Sequence, residues 1–176
     1  DLHDFAARLA AQLSKTSRVQ IVDSRVVDEA LGQPGAANGA GDDVALNRRI
    51  ALLLDEIESA HDFVLLLSDR TPTPWTFRCS RHCDELLLLA DATQPPTVHP
   101  IEDECLVRRP PRTEAAEILV LLHAADVRCP TGTNAWLDRR PIADHFHIRP
   151  TLDRDMARLA RLQSRTAVGL VLAVIW

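Results

Sequence analysis

The sequence predicts an α/β fold: a layered, mainly parallel sheet flanked by helices. Three apolar runs, Phe63–Leu67, Leu86–Ala90 and Ile118–Leu122, lack polar alternation, which is typical of strands buried on both faces. The polar block Thr71–Asp84 between the first two runs is too long for a hairpin turn. It has room for the crossover helix that joins parallel strands, so we expect strands alternating with helices.

Size and composition indicate one ordinary globular domain. The chain has 176 residues, of which 46% are hydrophobic and 26% charged, enough for a hydrophobic core. The net charge of −5 argues against a general nucleic-acid binder, which is usually basic. No signal peptide is recognised, and no apolar run approaches the roughly 20 residues of a membrane span.

Apolar residues at helical spacing predict the helices of the first half, and glycine clusters predict its loops. The expected elements, in order, are a helix over residues 2–13 capped by Asp1 or Asp4, a strand over Arg18–Asp23, a short helix from its cap Ser24 to Leu31, a flexible surface loop over Gly32–Gly41, a helix over residues 46–57 and a strand over Phe63–Leu67.

The second half continues the same alternation. The expected elements are a helix within Thr71–Asp84, a strand over Leu86–Ala90, a loop containing Pro95-Pro96 and Pro110-Pro111, a strand over Ile118–Leu122, a short helix over Thr133–Arg139, a strand over His145–Arg149, a helix around residues 152–160 and a strand over Val168–Val174.

The usual phosphate-binding and hydrolase motifs are missing from the chain. It has no Gly-x-x-x-x-Gly-Lys-Ser/Thr loop and no Gly-x-Ser-x-Gly elbow, and Lys15 follows a predicted helix instead of opening one. Ser68 and Asp69 end a buried strand, where α/β folds place ligand sites. A stand-alone hydrolase using them with a nearby histidine is one hypothesis, but a plain polar turn is the favoured interpretation.

Two groups of residues have the spacing of metal ligands. Cys79, His82 and Cys83 share one helical face, but a zinc site needs a fourth ligand and buried cysteines usually act as small hydrophobes. His145 and His147 alternate on a strand and face the same side. Structural histidines are the favoured interpretation of that pair, and no metal site is predicted.

The block after Phe63–Leu67 concentrates polar and aromatic residues. Pro74 is preset for the first helical turn, and Trp75 is expected to pack as a core or interface anchor. Arg81 lies three residues before Asp84, a spacing that allows an ion pair. The alternative is that Arg78 and Arg81 bind an anion near the strand ends, but a solvated ion-pair face is favoured.

Several groups of residues, in one order, resemble bacterial and animal proteins related to neuropathy target esterase. They are Thr73-Pro74-Trp75-Thr76-x-Arg78-Cys79-x-Arg81-x-x-Asp84, Leu119-Val120-Leu121-Leu122-His123, Gly132-Thr133-x-x-Trp136-Leu137-x-x-Arg140, His145-x-His147-x-Arg149, and Arg158-Leu159-Ala160-Arg161 followed by Ala167-Val168-Gly169-Leu170-Val171-Leu172. The resemblance covers essentially the whole chain. It implies that the family-signature residues are structural or interaction residues, namely Pro74, Trp75, Arg78, Cys79, Arg81, Asp84, Trp136, His145, His147 and Arg149.

The resemblance also implies a domain organisation and a function. Residues 1–166 are expected to form a companion linker or regulatory domain between a cyclic-nucleotide-binding-like domain and a patatin-like phospholipase domain. Residues 167–176 are expected to be the truncated first strand of that catalytic domain, although Ala173–Trp176 departs from the glycine-rich loop of the family. The Ser-Asp catalytic dyad would lie outside the chain, which is therefore expected to be non-catalytic and to need no cofactor.

The parent protein is expected, on the same resemblance, to be a serine esterase or (lyso)phospholipase. It would act on lipid esters in the cytoplasm or peripherally at a membrane surface, with no nucleic-acid partner. The cysteine pattern, without a disulfide framework, agrees with a reducing cytosolic setting. The apolar segment Val168–Trp176 is expected either to add a strand to this sheet or to pair with a second copy of the chain.

Two strands are also similar to those of ParA/MinD-type P-loop NTPases. The segments His61–Leu65 and Cys83–Leu87 resemble the "D-x-V-L-I" and "A-D-x-V-L-L" strands of that branch. The likeness implies a degenerate version of that fold lacking its first strand, with that strand and any phosphate loop just upstream of Asp1. A nucleotide-binding module is accordingly the alternative function.

Overall fold

The structure, a computed structural model, describes residues 1–39, 41–104, 116–139 and 142–165. Every strand pair in these ranges is parallel, so the predicted α/β class is confirmed. The strands form two groups: β1 (Val19–Val22) pairs with β2 (Phe63–Leu66), and β3 (Glu85–Asp91), β4 (Ala116–Leu122) and β5 (Asp144–Ile148) pair in the order β3-β4-β5.

Helices alternate with these strands along the chain. They are α1 (Leu2–Leu13), α2 (Ser24–Leu31), a 3-10 turn (Ala36–Asn38), α3 (Val44–Ala60), α4 (Pro74–His82), the short α5 (Pro100–Glu102), α6 (Thr133–Leu137) and α7 (Asp153–Gln163). The predicted helices and strands in the described ranges are confirmed, with ends that differ by a few residues. Pro110-Pro111 and the predicted strand Val168–Val174 lie outside the described residues.

Helices cover both faces of the strands, which is why the strand sequences are continuously apolar. Successive side chains of a strand point to opposite faces. On β4, Val120 packs with Leu9 of α1 and Leu159 of α7. Leu119 and Leu121, on the opposite face, pack against Trp136 of α6. A third core lies between β1, β2 and the helices α2, α3 and α4. None of the described helices combines the length and apolar character of a membrane span.

The cap of α2 is Asp23, so the expectation that Ser24 caps this helix is wrong. One Asp23 carboxylate oxygen accepts a hydrogen bond from the backbone N–H of Val26 at 2.9 Å. A carboxylate accepts a hydrogen bond from this otherwise unpaired N–H, and its negative charge interacts favourably with the positive end of the helix dipole. Ser24 is instead the first helical residue, and its hydroxyl points to Asp69.

The glycine-rich segment Gly32–Gly41 lies mostly at the surface, as expected, but it contains a 3-10 turn whose two alanines are buried. Ala36 and Ala37 in its 3-10 turn are only 1% and 2% exposed. The Asp28 carboxylate accepts hydrogen bonds from the backbone N–H groups of Gly35 (2.6 Å) and Ala37 (2.8 Å). Gly35 has a φ of 78°, a left-handed conformation that glycine adopts without steric cost. The 3-10 turn therefore contributes its two alanines to the core beside α2 and α3.

Truncating Leu119 should destabilise the fold strongly, because this side chain is 1% exposed on a strand with neighbours on both edges. We expect Leu119→Ala to lower the free energy of unfolding by about 2–5 kcal/mol, measured by urea denaturation. The matched control is Leu52→Ala on α3, where the side chain is 58% exposed and the change should stay within about 0.5 kcal/mol. Equal effects of the two substitutions would contradict the placement of β4 at the centre of its sheet.

Candidate functional site

Two polar clusters lie at the carboxyl ends of the strands, the edge at which parallel α/β sheets bind ligands. The first, called the Asp69 cluster, follows β1 and β2 and consists of Ser24, Asn38, Asp69, Thr73 and Thr76. The second, called the histidine cluster, consists of His123, Thr133, His145 and His147. His123 directly follows β4, Thr133 begins α6, and the other two histidines lie on β5.

The carboxylate of Asp69 accepts three hydrogen bonds. Its Oδ1 accepts from the Ser24 hydroxyl at 2.9 Å, and its Oδ2 accepts from the Asn38 side-chain amide at 3.0 Å and the Thr73 hydroxyl at 2.6 Å. Thr76 adds a fourth link, because its hydroxyl accepts from the Asp69 backbone N–H at 3.1 Å. Asp69 thus connects α2, the 3-10 turn and the start of α4, and its oxygens are occupied by these structural contacts.

Ser68 lies in a cleft of about 210 Å³ at the same edge, together with His3, Asp23, Arg70 and the N-terminus of α1. A serine nucleophile needs a hydrogen-bonded general base. In the described part of the chain, no hydrogen bond joins the Ser68 hydroxyl to a histidine, and His3 instead lies 4.0 Å from Asp23. The arrangement does not form the nucleophile and base that a stand-alone hydrolase would require.

Trp75 lies in the core as the second residue of α4, directly after Pro74. The indole is fully buried, and its Nε1–H donates to the backbone oxygen of Leu67 at 2.8 Å. The Trp75 backbone N–H donates to the Asn38 side-chain oxygen at 3.0 Å. A buried tryptophan normally has such a partner for its N–H. Trp75 therefore anchors α4 to the end of β2 and to the 3-10 turn.

Arg78 is partly buried between α3 and α4. Its Nη2 donates to the side-chain oxygen of Asn47 at 2.5 Å, while its Nε is buried without a hydrogen-bond partner in the described part of the chain. Burial lowers the pKa of the Arg78 guanidinium because desolvation disfavours its charge. Across the same described residues, Arg81 and Asp84 form no ion pair with each other. The helix face therefore lacks the 81–84 pair that its spacing allows.

Cys79, His82 and Cys83 do not come together as a metal site. Cys79 is buried in the core, where desolvation raises the pKa of its thiol, and a neutral thiol is a poor metal ligand. His82 lies on the surface instead, with its Nε2 3.2 Å from Glu58. His82, Glu58 and Asp55 form the group of three ligand atoms that converges among the described residues. All three side chains of this group are exposed.

The histidine cluster joins the ends of two neighbouring strands. Nε2 of His123 lies 2.8 Å from Nδ1 of His147, and the Thr133 hydroxyl lies 3.3 Å from Nε2 of His147. The His145 ring packs edge-on against His147, with 5.8 Å between the ring centroids. The expectation that His145 and His147 face the same side agrees with this contact. Sequence reasoning missed the direct partner His123, although its position just after β4 was the available signal.

Burial lowers the pKa of both paired imidazoles. The pKa of His123 is lowered first by desolvation and further by the charge of Arg149, while Asp91 opposes the shift. The pKa of His147 is lowered by desolvation and by its two histidine neighbours. Both rings are therefore neutral near pH 7, which allows one ring N–H to donate to the unprotonated nitrogen of the other.

Arg149 connects the end of β5 to the start of α7. Its Nε and Nη2 donate to the two carboxylate oxygens of Asp155 at 2.6 and 3.0 Å, and its backbone N–H donates to the same carboxylate at 3.0 Å. Burial of Asp155 raises the pKa of its carboxyl, but these hydrogen bonds and the guanidinium charge outweigh burial and lower it overall. Trp136, the other signature aromatic, is buried beneath α6 against Leu119.

The chain matches one family model and is similar to several known proteins. The family model described as "Neuropathy Target Esterase family P-loop like domain" matches residues 1–171. "Patatin-like phospholipase domain-containing protein 7" from Mus musculus is 28% identical over 96% of this chain and 14% of its own length. "Patatin-like phospholipase domain-containing protein 6" from Homo sapiens is 35% identical over 57% of this chain and 7% of its length. "Lysophospholipase NTE1" from Yarrowia lipolytica is 34% identical over 62% of this chain and 8% of its length. The chain spans at most about a seventh of the length of these relatives.

The stability of the chain should fall as the pH drops through the ordinary histidine range. The folded-state pKa values of His123 and His147 are lowered, so the unfolded chain binds protons first, below about pH 6.5. Stability is then complete above that pH and decreases below it. We expect the double substitution His123→Gln and His147→Gln to reduce the slope of unfolding free energy against pH between 7 and 5.5, measured by urea denaturation.

The control for this experiment is Leu52→Ala on α3, which removes a side chain that is 58% exposed and carries no titrating group. This substitution should leave the slope between pH 7 and 5.5 unchanged. An imidazole titration by NMR in the folded chain provides a second measurement. Normal histidine titration midpoints for both residues 123 and 147 would contradict the neutral pair.

Proposed function

Because the chain belongs to the neuropathy target esterase family, we propose that it is a non-catalytic structural or regulatory module of a multidomain patatin-like (lyso)phospholipase. The printed names of its relatives are those of phospholipases, and the chain corresponds to a small part of each. Hydrolysis of lipid esters, in a cytoplasmic enzyme acting at a membrane surface, would belong to another part of the parent protein.

The observation that supports a non-catalytic role most directly is the state of the strand-end groups. Asp69 accepts hydrogen bonds from three side chains, and Arg149 forms a two-point ion pair with Asp155. Such groups hold helices and strands in place, whereas catalytic groups must be available to a substrate. In this proposal, the same contacts hold the module in one shape, so that it can orient a neighbouring domain.

A nucleotide-binding module is the second candidate, and the family description "P-loop like" supports it. A helix N-terminus can favour an anion, and the N-terminus of α1 lies at a cleft lined by Asp1, Ser24 and Arg70, although the Asp1 side chain already accepts the His3 N–H. The charged groups that line it are mixed: Asp23 and Asp69 stand beside Arg25 and Arg70. Lys15 follows the opposite end of α1, so the lysine that normally contacts the phosphates has no counterpart there.

The regulatory role predicts that the parent's catalytic domain behaves differently with and without this module. We expect kcat/KM toward a lysophospholipid, or the soluble yield of the catalytic domain, to change at least about twofold on removal of the module, because neighbouring domains stabilise and orient each other. Identical activity and solubility in both forms would contradict the regulatory role.

A variant series within the full-length parent separates regulation from chemistry. The isolated chain should show no hydrolysis of a short-chain nitrophenyl ester above that of Ser68→Ala, since no activated nucleophile is formed. In the parent protein, Ser68→Ala should leave lipid hydrolysis unchanged. An esterase activity of the isolated chain that disappears in Ser68→Ala would make the non-catalytic assignment wrong.

Nucleotide binding is tested by calorimetric titration with ATP and GTP in the presence of Mg²⁺. The protein should carry the residues that precede Asp1 in its gene, since a phosphate loop would precede α1. If the chain is a non-catalytic scaffold, titration with millimolar nucleotide should give no heat of binding. Saturable heats with either nucleotide would instead support the second candidate, and loss of those heats on Arg70→Ala would place the nucleotide in the cleft.

A further inference from the structure

Three histidines lie on one face of the sheet formed by β3, β4 and β5. In the register of β4 with β5, His147 lies opposite Leu121, and His145 is two residues earlier on the same strand. The ladder continues past the end of β4, where the backbone N–H of His123 donates to the carbonyl of Ile148 at 2.9 Å. Alternate residues of a strand and paired residues of neighbouring strands share a face. The three imidazole rings therefore belong to the face that α6 covers.

The rings of His123 and His147 are already within reach of one metal ion. Their facing nitrogens, Nε2 of His123 and Nδ1 of His147, are 2.8 Å apart. Two imidazole nitrogens bound to a tetrahedral Zn²⁺ are about 3.3 Å apart, since each Zn–N bond is about 2.0 Å long. A separation of the two rings by about half an ångström would thus place the ion between the nitrogens that now share one N–H.

Thr133 has the position of an outer-shell partner of a metal ligand. Its hydroxyl lies 3.3 Å from Nε2 of His147, the ring nitrogen that does not contact His123. A histidine that binds a metal almost always donates its second N–H to a nearby acceptor, which fixes the ring and its tautomer. With the N–H of His147 at Nε2, its Nδ1 presents a lone pair. His123 presents a second lone pair at Nε2 when its own N–H is at Nδ1.

His145 supplies a third imidazole beside this pair. Its ring packs edge-on against His147, with 5.8 Å between the ring centroids and 85° between the planes. The nitrogens of the three rings do not yet converge, since the group of three ligand atoms that does so among the described residues lies on α3 and α4. A rotamer change of His145 is needed to complete the site. This side chain is partly exposed, and such side chains change rotamer readily.

The charges around the rings are compatible with a divalent cation. Asp91, the last residue of β3, lies close enough for its negative charge to act on His123. Arg149 acts on the same ring with the opposite sign, but its guanidinium is held by the Asp155 carboxylate at 2.6 and 3.0 Å. Burial lowers the pKa of His123 and of His147, so both rings are neutral near pH 7. The neutral imidazole is the form that binds metals.

We propose that His123, His145 and His147 form a binding site for a divalent transition-metal ion, with Zn²⁺ as the expected metal. Three imidazoles are an established zinc ligand set in proteins, and they leave the fourth position to water. Nitrogen ligands also favour Zn²⁺ over Mg²⁺ and Ca²⁺, which prefer oxygen. The ion would join the end of β4 to β5. This site goes beyond the scaffold role proposed above, and that role does not depend on it.

The competing candidate is the group of Asp55, Glu58 and His82 on α3 and α4. Its ligand atoms lie within 4.8 Å of one another, but all three side chains are exposed. Nε2 of His82 is 3.2 Å from the Glu58 carboxylate, so an ordinary surface ion pair accounts for the arrangement. The histidine cluster is favoured because its rings are partly buried on neighbouring strands, where their backbone positions are fixed.

Calorimetric titration of the chain with Zn²⁺ at pH 7, after treatment with a chelator, tests the proposal. We expect one Zn²⁺ per chain. The substitutions His123→Gln, His145→Gln and His147→Gln should each lower the association constant by more than about tenfold, because each removes one ligand. Thr133→Val should lower it about tenfold, since it keeps the shape of the side chain and removes the outer-shell hydroxyl.

The matched control is His82→Gln, which removes the histidine of the competing group. It should leave the association constant for Zn²⁺ unchanged. NMR spectra of the unsubstituted chain locate the ion without any variant, so the test holds even where a variant fails to fold. Paramagnetic Co²⁺ should shift or broaden the ring signals of His123, His145 and His147 and leave that of His82 in place.

Several results would overturn the proposal. They are the absence of binding heat at millimolar Zn²⁺, binding that survives substitution of any one of the three histidines unchanged, and loss of binding in His82→Gln. A Co²⁺ effect confined to the ring of His82 would equally assign the ion to the exposed group on α3 and α4. None of these results would bear on the regulatory role, which is tested by removal of the whole module from the parent protein.

Discussion

Hydrogen bonds to the Asp69 carboxylate join three segments that are far apart in the sequence. Ser24, Asn38 and Thr73 donate to its two oxygens, and they belong to α2, the 3-10 turn and the cap of α4. Trp75 reinforces the same junction, because its indole N–H bonds to the end of β2 and its backbone N–H bonds to Asn38. This group of contacts holds α2, the 3-10 turn and α4 together on the same face of β1 and β2.

The second half of the sheet is held by an equivalent junction. Arg149 forms a two-point ion pair with Asp155 at the start of α7. Helix α7 packs beside α1 over the core shared by both groups of strands. The neutral pair of His123 and His147 links the ends of β4 and β5. In many α/β enzymes the carboxyl edge binds substrate, whereas here its polar groups largely bind each other. This physical difference supports the scaffold role that we propose.

Much of this fold was predictable because apolar spacing and strand-like runs are local signals. The helices at residues 2–13 and 44–60 and the three leucine-rich strands follow directly from such patterns. The glycine-rich segment was not predictable, because Ala36 and Ala37 are buried only when α2 and α3 pack around them. Of the candidate site, the shared face of His145 and His147 follows from alternation, whereas the contact with His123 requires that β4 and β5 be neighbours.

The sequence alone determined the α/β class, the order of the helices and strands, and a family resemblance that the family match over residues 1–171 bears out. These properties follow from residue spacing and from ordered motifs, which need no knowledge of distant contacts. The tertiary structure alone decided the roles of individual polar residues. Asp69, Arg149 and Cys79 could each have served a reaction or a metal, but hydrogen-bond partners and burial depend on which strands and helices meet. Among the described residues, β2 and β3 form no ladder with each other, which no local pattern in the sequence reveals.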